Sequence, residues 1–224
     1  MKGLLVLIAA CLLASCAALP QVLPPAGSAE KNIRCPSPFL AEKTRLIHTI
    51  EVRTSGETKT VMIGVTLMDP FSRTIACALM SAEGMTLFEA VRGPEGMVVS
   101  RAFPPFDAAD FAVHMMDDIE LIFLAPQGLP AKKGVLAGGD QICRWHKTQG
   151  GWMEVSAGRD GRMKVHRYSE GGDLKRVVTL AADAANPYST ILLQASDLVN
   201  YALVMTLIQS ESVGDKPGLK ESLP

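Results

Sequence analysis

The sequence predicts a mainly β domain of the α+β class: a curved antiparallel sheet of about eleven strands wrapped around one central helix. Three observations carry this. Short segments of alternating apolar and polar residues recur along most of the chain, separated by turns rich in Gly, Pro and Asp. One segment in the middle breaks the alternation and repeats its apolar residues every three to four positions. A sheet of so many strands must curl, split or close, while one helix covers only one face. The simplest packing curves the sheet around the helix and leaves part of its concave side as an apolar cavity.

The first strand is expected over Arg45 to Thr54, with Leu46, His48, Ile50 and Val52 on one face. Ser55-Gly56-Glu57 fits a hairpin loop leading to Lys59–Met68, where Val61, Ile63, Val65 and Leu67 form the main apolar row. Thr74–Met80, Met85–Val91 and Met97–Arg101 follow, joined by Ser81–Gly84 and Gly93–Gly96. Phe103-Pro104-Pro105-Phe106 stops this first meander. A helix is predicted from Asp107 to Leu124, with Asp107 as its cap and Asp110 in its first turn. Its apolar face is Phe111, Met115, Ile119 and Ile122, and its last turns, Ile119 to Leu124, also fit a strand. A second meander runs through Gln141–Thr148, Trp152–Ala157, Met163–Tyr168, Leu174–Leu180, Thr190–Ala195 and Tyr201–Glu211.

Composition narrows the function. Hydrophobic residues are 48% and charged residues 20%, and 22 basic residues nearly balance 23 acidic ones, so no basic field exists to attract nucleic acid. Residues 1–15 read as a signal peptide: Lys2 is a positive start, and the apolar stretch Gly3 to Leu13 falls well short of the roughly 20 residues a membrane span needs. Leu13-Ala14-Ser15-Cys16 resembles the lipobox of bacterial lipoproteins, which implies that Cys16 is lipidated and becomes the mature N-terminus. Ala17 after it, where Asp would imply retention at the inner membrane, implies the outer membrane, on the periplasmic side. Residues 16–35 read as the lipidated end and a flexible tether broken by Pro20, Pro24, Pro25 and Gly27, residues 36–211 as a single domain, and 212–224 as a disordered tail.

Side chains that carry chemistry are sparse. The four histidines, His48, His114, His146 and His166, form none of the spacings that bring ligands to one metal, so no metal and no cofactor are expected. His114 and Asp118 lie four apart and can share a helix face, whereas Asp117 and Asp118 diverge by about 100° and cannot jointly flank one bond. No nucleophile elbow or S-x-x-K occurs, which argues against an enzyme. Beyond Cys16 the cysteines are Cys35, Cys77 and Cys143, with no C-x-x-C, and an oxidising periplasm allows one disulfide in any of three pairings. Cys77 alternates with Ile75 and Leu79 as a buried apolar residue would, which favours Cys35–Cys143. Methionine is abundant, at 11 residues, and its flexible thioether adapts to variable apolar ligands. Met62 and Met68 lie opposite the Val61–Leu67 row and Met80 opposite Ile75–Leu79, so the sheet is apolar on both faces.

The order lipobox, tether, β-meander, helix, second meander is similar to the lipoprotein-localisation proteins LolA and LolB. Phe103-Pro104-Pro105, Met116-Asp117-Asp118-Ile119-Glu120-Leu121 and Leu124-Ala125-Pro126 resemble the pattern of a family of Gram-negative outer-membrane lipoproteins often encoded beside aryl-polyene biosynthesis clusters. The resemblance implies an incomplete antiparallel barrel closed by helix, with an apolar cavity for acyl chains. The expected ligand is an acyl chain, lipid, lipoprotein or polyene lipid, held by Phe111, Met115, Ile119, Ile122, Met62 and Met80. A periplasmic carrier protein is a further expected partner, and the membrane is reached through the lipid anchor. The competing expectation is a non-enzymatic assembly or structural lipoprotein that binds a protein partner in the envelope.

Overall fold

The computed structural model describes residues 19–24, 34–148, 150–181, 186–196 and 200–214. The signal peptide, Cys16, most of the tether and residues 215–224 lie outside the described residues. The first five strands are β1 (Thr44–Thr54), β2 (Glu57–Asp69), β3 (Thr74–Met80), β4 (Thr86–Gly93) and β5 (Gly96–Ala102). Helix α1 (Phe111–Phe123) follows. Seven more strands complete the chain: β6 (Lys132–Val135), β7 (Gln141–His146), β8 (Trp152–Ala157), β9 (Met163–Tyr168), β10 (Leu174–Leu180), β11 (Thr190–Ala195) and β12 (Tyr201–Ser212).

All twelve strands lie in one curved open sheet, in the order β5-β4-β3-β2-β1-β12-β11-β10-β9-β8-β7-β6. Every neighbouring pair is antiparallel. The last strand closes on the first, from Thr44 opposite Ser212 to Arg53 opposite Ala202. The two meanders therefore meet in the middle of the sheet and β5 and β6 become its edges. The chain leaves one edge and re-enters at the other, so the segment between them must cross a face. That segment carries α1, which lies across the concave side against β3 and β9.

The twelfth strand is β6, which the alternation did not predict. Lys132-Lys133-Gly134-Val135 has low strand propensity, yet short lysine-bearing strands are what natural sheet edges use to discourage further pairing. The helix starts at Phe111 rather than Asp107, because Asp107 to Asp110 form turns, and Asp110 takes the cap position without a side-chain cap bond.

The core lies between α1 and the concave face. β1 gives it Leu46, His48 and Ile50, β3 gives Ile75, Cys77 and Leu79, and β4 gives Phe88 and Ala90. β2 turns the opposite way from the expected row: Met62, Gly64, Thr66 and Met68 face inward, and Val61, Ile63, Val65 and Leu67 face outward. Register decides this, because Ile50 pairs with Met62 and directly paired residues share a face. Gly64 leaves room for the tip of Ile50, since a Cβ there would come within 2.5 Å of Ile50 Cδ1 and push that side chain aside.

The expected free tether is docked where it is described. Leu23 exchanges two backbone hydrogen bonds with Val135 at the β6 edge, and the Pro20 carbonyl accepts from Arg144 at 2.5 Å. This segment helps to bury the outer face of β7 and β8, where Ile142, Arg144, Glu154 and Ser156 are inaccessible. Cys35 and Cys143 form a disulfide across 108 residues of sequence, tying the segment before β1 to β7. Cys77 remains a free, buried thiol that burial pushes up to about 12. Among the described residues no helix is long and apolar enough to cross a membrane, and no three His, Cys, Asp or Glu side chains assemble as a metal cage.

Candidate functional site

The seam between α1 and the concave face has an apolar layer and a charged layer. The apolar layer uses a helix face shifted by about one residue from the expected one. Ala112, Met116, Leu121, Ile122 and Phe123 are buried, whereas Phe111, Met115 and Ile119 are half-buried and pack at the margin of the core. The helix packs so that Met116 rather than Met115 enters the sheet, and Met116 sits 4.0 Å from the Cys77 sulfur. Phe111 packs edge-on against Phe88 and Phe106. Of the residues expected to line a cavity, Ile122 and Met62 are buried in this seam, and Met80 is not part of it. Met80 pairs with Ile63 on the convex side, because strand alternation sends it opposite Ile75, Cys77 and Leu79.

The charged layer was legible only in part. Asp117, Asp118 and Glu120 project from α1 to arginines of the sheet and its turns, with Arg92 shared by Asp117 and Glu120. Asp118 is buried, accepting from Arg176 Nε at 2.8 Å and from the Tyr201 hydroxyl at 2.6 Å. His114, its expected partner one turn earlier, is exposed. Burial raises the Asp118 carboxyl above the ordinary carboxylate range, against the pull of Arg176. Asp117 accepts from Arg92 at 2.7 Å and faces Arg167 at 3.4 Å. Its burial opposes ionisation, but the Arg92 hydrogen bond and the two guanidinium charges outweigh it and hold the group low. Glu120 bridges Arg92 and Arg73, each at 2.6 Å, and Arg73 also donates to the Ala125 carbonyl just past the helix end. The arginines went unnoticed in sequence because they lie in strands otherwise read by their apolar rows. The signal was there: Arg92 continues the inward row of Phe88 and Ala90, and Arg176 that of Val178 and Leu180.

Beside this layer, between the C-terminal end of α1 and the β7–β8 hairpin, a cleft of about 160 Å³ opens to solvent. Arg73, Glu120 and Lys147 rim it, and Leu124, Trp145 and Met153 form its apolar wall. A second concavity of about 520 Å³ lies on the outer side of β8–β10 and is mostly polar, lined by Asp140, Arg159, Arg162 and Lys164 among others.

No family model matches the chain, and no curated protein matches it. Among solved structures it is similar to a LolA superfamily protein from Nitrosomonas europaea, with a TM-score of 0.51 and 9% identity over 79% of this chain and 88% of that one. The class defined by this likeness and by the open twelve-stranded sheet is one of fold: a LolA-like half-barrel with a helix across its concave side.

Proposed function

We propose that the protein binds an apolar chain, the acyl chain of a lipid or lipoprotein or a polyene lipid, in the concave side of the half-barrel. The ligand takes space that α1 now fills, and no reaction is involved. The observation that carries this reading is the make-up of the seam. Met62, Met68, Met153 and Met205 from the sheet and Met116 from the 13-residue helix are all buried in one cluster. Methionine repacks around different shapes at little cost, so such a lining suits chains of varying length. The charged layer suits a helix that lifts, because Asp117 and Glu120 regain hydration on opening and a purely apolar helix would not. The likeness to a LolA superfamily protein supports the same reading. The chain would act from the outer membrane, anchored through lipidated Cys16 and facing the periplasm, where a soluble carrier could deliver its cargo.

One observation favours a second reading. Val61, Val91, Val98 and Ile208 are exposed on the sheet with Ile63, Val65 and Leu67 between them, a convex apolar surface that fits an assembly lipoprotein holding a protein partner. Displacement of a fluorescent fatty acid, measured on the full chain purified without detergent, separates the two. Saturable binding of about one chain per protein is expected. A folded protein with no saturable binding overturns the carrier reading in favour of the partner-binding one.

A further inference from the structure

The cleft beside the helix end has two features that ordinary packing leaves unexplained. Its wall contains Trp145, 7% exposed, whose indole nitrogen is closed off from solvent and has no hydrogen-bond partner among the described residues. An indole N–H can only donate, and a buried donor without a partner is costly and uncommon. Its rim contains Lys147, half-buried, which forms no ion pair with any described residue. The cations Arg73, Arg92, Arg167 and Lys147 gather around only two carboxylates here, Asp117 and Glu120, because Asp118 is taken by Arg176. The two carboxylates are already engaged by three guanidinium groups, so the cluster is cationic on balance and Lys147 is its member outside those ion pairs. Burial, followed by repulsion from Arg167, lowers the Lys147 pKa, and the attraction of an incoming anion would offset both. Below the donors, Leu124 and Met153 continue the cleft toward the core.

We propose that this cleft binds the oxyanion head, a carboxylate or a phosphate, of the apolar ligand, with Lys147 as the donor at the rim and the Trp145 N–H as the donor the head reaches by parting the wall. Leu124 and Met153 take the first carbons of its chain. The inference rests on the proposed function and names the class of its ligand: an anionic amphiphile rather than a neutral hydrocarbon. It also gives a reason for the position of the site at the end of α1, since a head bound there directs the chain along the seam that the helix covers.

The test is calorimetric titration of the full chain with decanoate, decyl phosphate, decanol and inorganic phosphate. One charge-assisted hydrogen bond at a partly buried site is expected to make decanoate or decyl phosphate about tenfold tighter than decanol. Lys147→Gln should erase that difference while leaving decanol binding and the melting temperature unchanged, and Lys147→Arg should restore part of it. Trp145→Phe, which keeps the ring and removes the donor, should weaken the anionic ligands alone, and it decides the matter should Lys147→Gln fail to fold. Equal affinity for decanoate, decyl phosphate and decanol overturns the head-group site and leaves the apolar reading standing. Binding of neither alkyl anion nor decanol overturns the proposed function itself. Inorganic phosphate bound alone, and lost in Lys147→Gln, supports the oxyanion site and assigns it to a free anion instead of a lipid head.

Discussion

Replacing Asp118 by Ala tests whether the charged layer fastens α1 to the sheet. The carboxylate is 7% exposed and its partner Arg176 is 6% exposed, so both charges sit out of water. Removing one member of a buried pair leaves the other charge under-compensated, which costs about 3–5 kcal/mol. Asp118 also carries a desolvation penalty that its removal relieves, as its raised pKa records, so the lower end, ~3 kcal/mol, is the expected loss. For a chain of this size each kcal/mol moves the melting temperature by roughly 2–4 °C, so Asp118→Ala should melt roughly 6–12 °C lower at pH 7. Asp118→Leu with Arg176→Met, which removes both charges and keeps apolar volume, should recover most of the loss, to within about 1 kcal/mol of the parent. Thermal denaturation followed by far-ultraviolet circular dichroism measures all three. An Asp118→Ala shift under about 2 °C, or a double variant no better than the single, would refute the latch.

Four further outcomes follow from particular groups. His48 and His166 are kept neutral chiefly by burial, with the Tyr188 carbonyl offsetting part of the effect at His48, so their folded pKa values lie below the ordinary one. The unfolded chain therefore takes up protons first as pH falls through about 6.5, and stability is lost below that point at up to about 1.4 kcal/mol per pH unit for each histidine. Replacing both with Gln should flatten the melting temperature between pH 5 and 6.5, and parallel curves would contradict this. Cys35→Ser should cost roughly 2–5 kcal/mol, because the bridge closes a loop of 108 residues, measured as the denaturant midpoint against the oxidised parent. Met62→Glu should destabilise by several kcal/mol while Met80→Glu stays within about 1 kcal/mol, since only Met62 faces the core. Cys16→Ser should leave an uncleaved precursor without palmitate label, and normal labelling in that variant would end the lipoprotein reading.

The alternation and turn spacing are strong enough to show nearly every strand, because each half-buried strand writes its own period into the chain. What they could not show was which of two apolar rows faces inward. In β2 both rows are apolar, and the choice is made by the register against β1 and by the room that Gly64 leaves for Ile50, neither of which is local. The helix was visible but its rotation was not, since Met115 and Met116 are adjacent and equally apolar, and only packing against the sheet selects Met116 for the core. β6 escaped because an edge strand with two lysines lacks the pattern of a half-buried one. The charged layer escaped because each arginine is one inward position in an apolar row, and its meaning appears only when strands from both meanders meet the same helix.

The central claim is that an apolar chain enters the concave face by displacing α1. Hydrogen–deuterium exchange of the full chain, with and without saturating decanoate, reads that displacement directly. The account predicts faster exchange across Phe111–Phe123 when the ligand is bound, with β1, β2, β11 and β12 unchanged or slower. Slower or unchanged exchange in the helix under saturating ligand would contradict it.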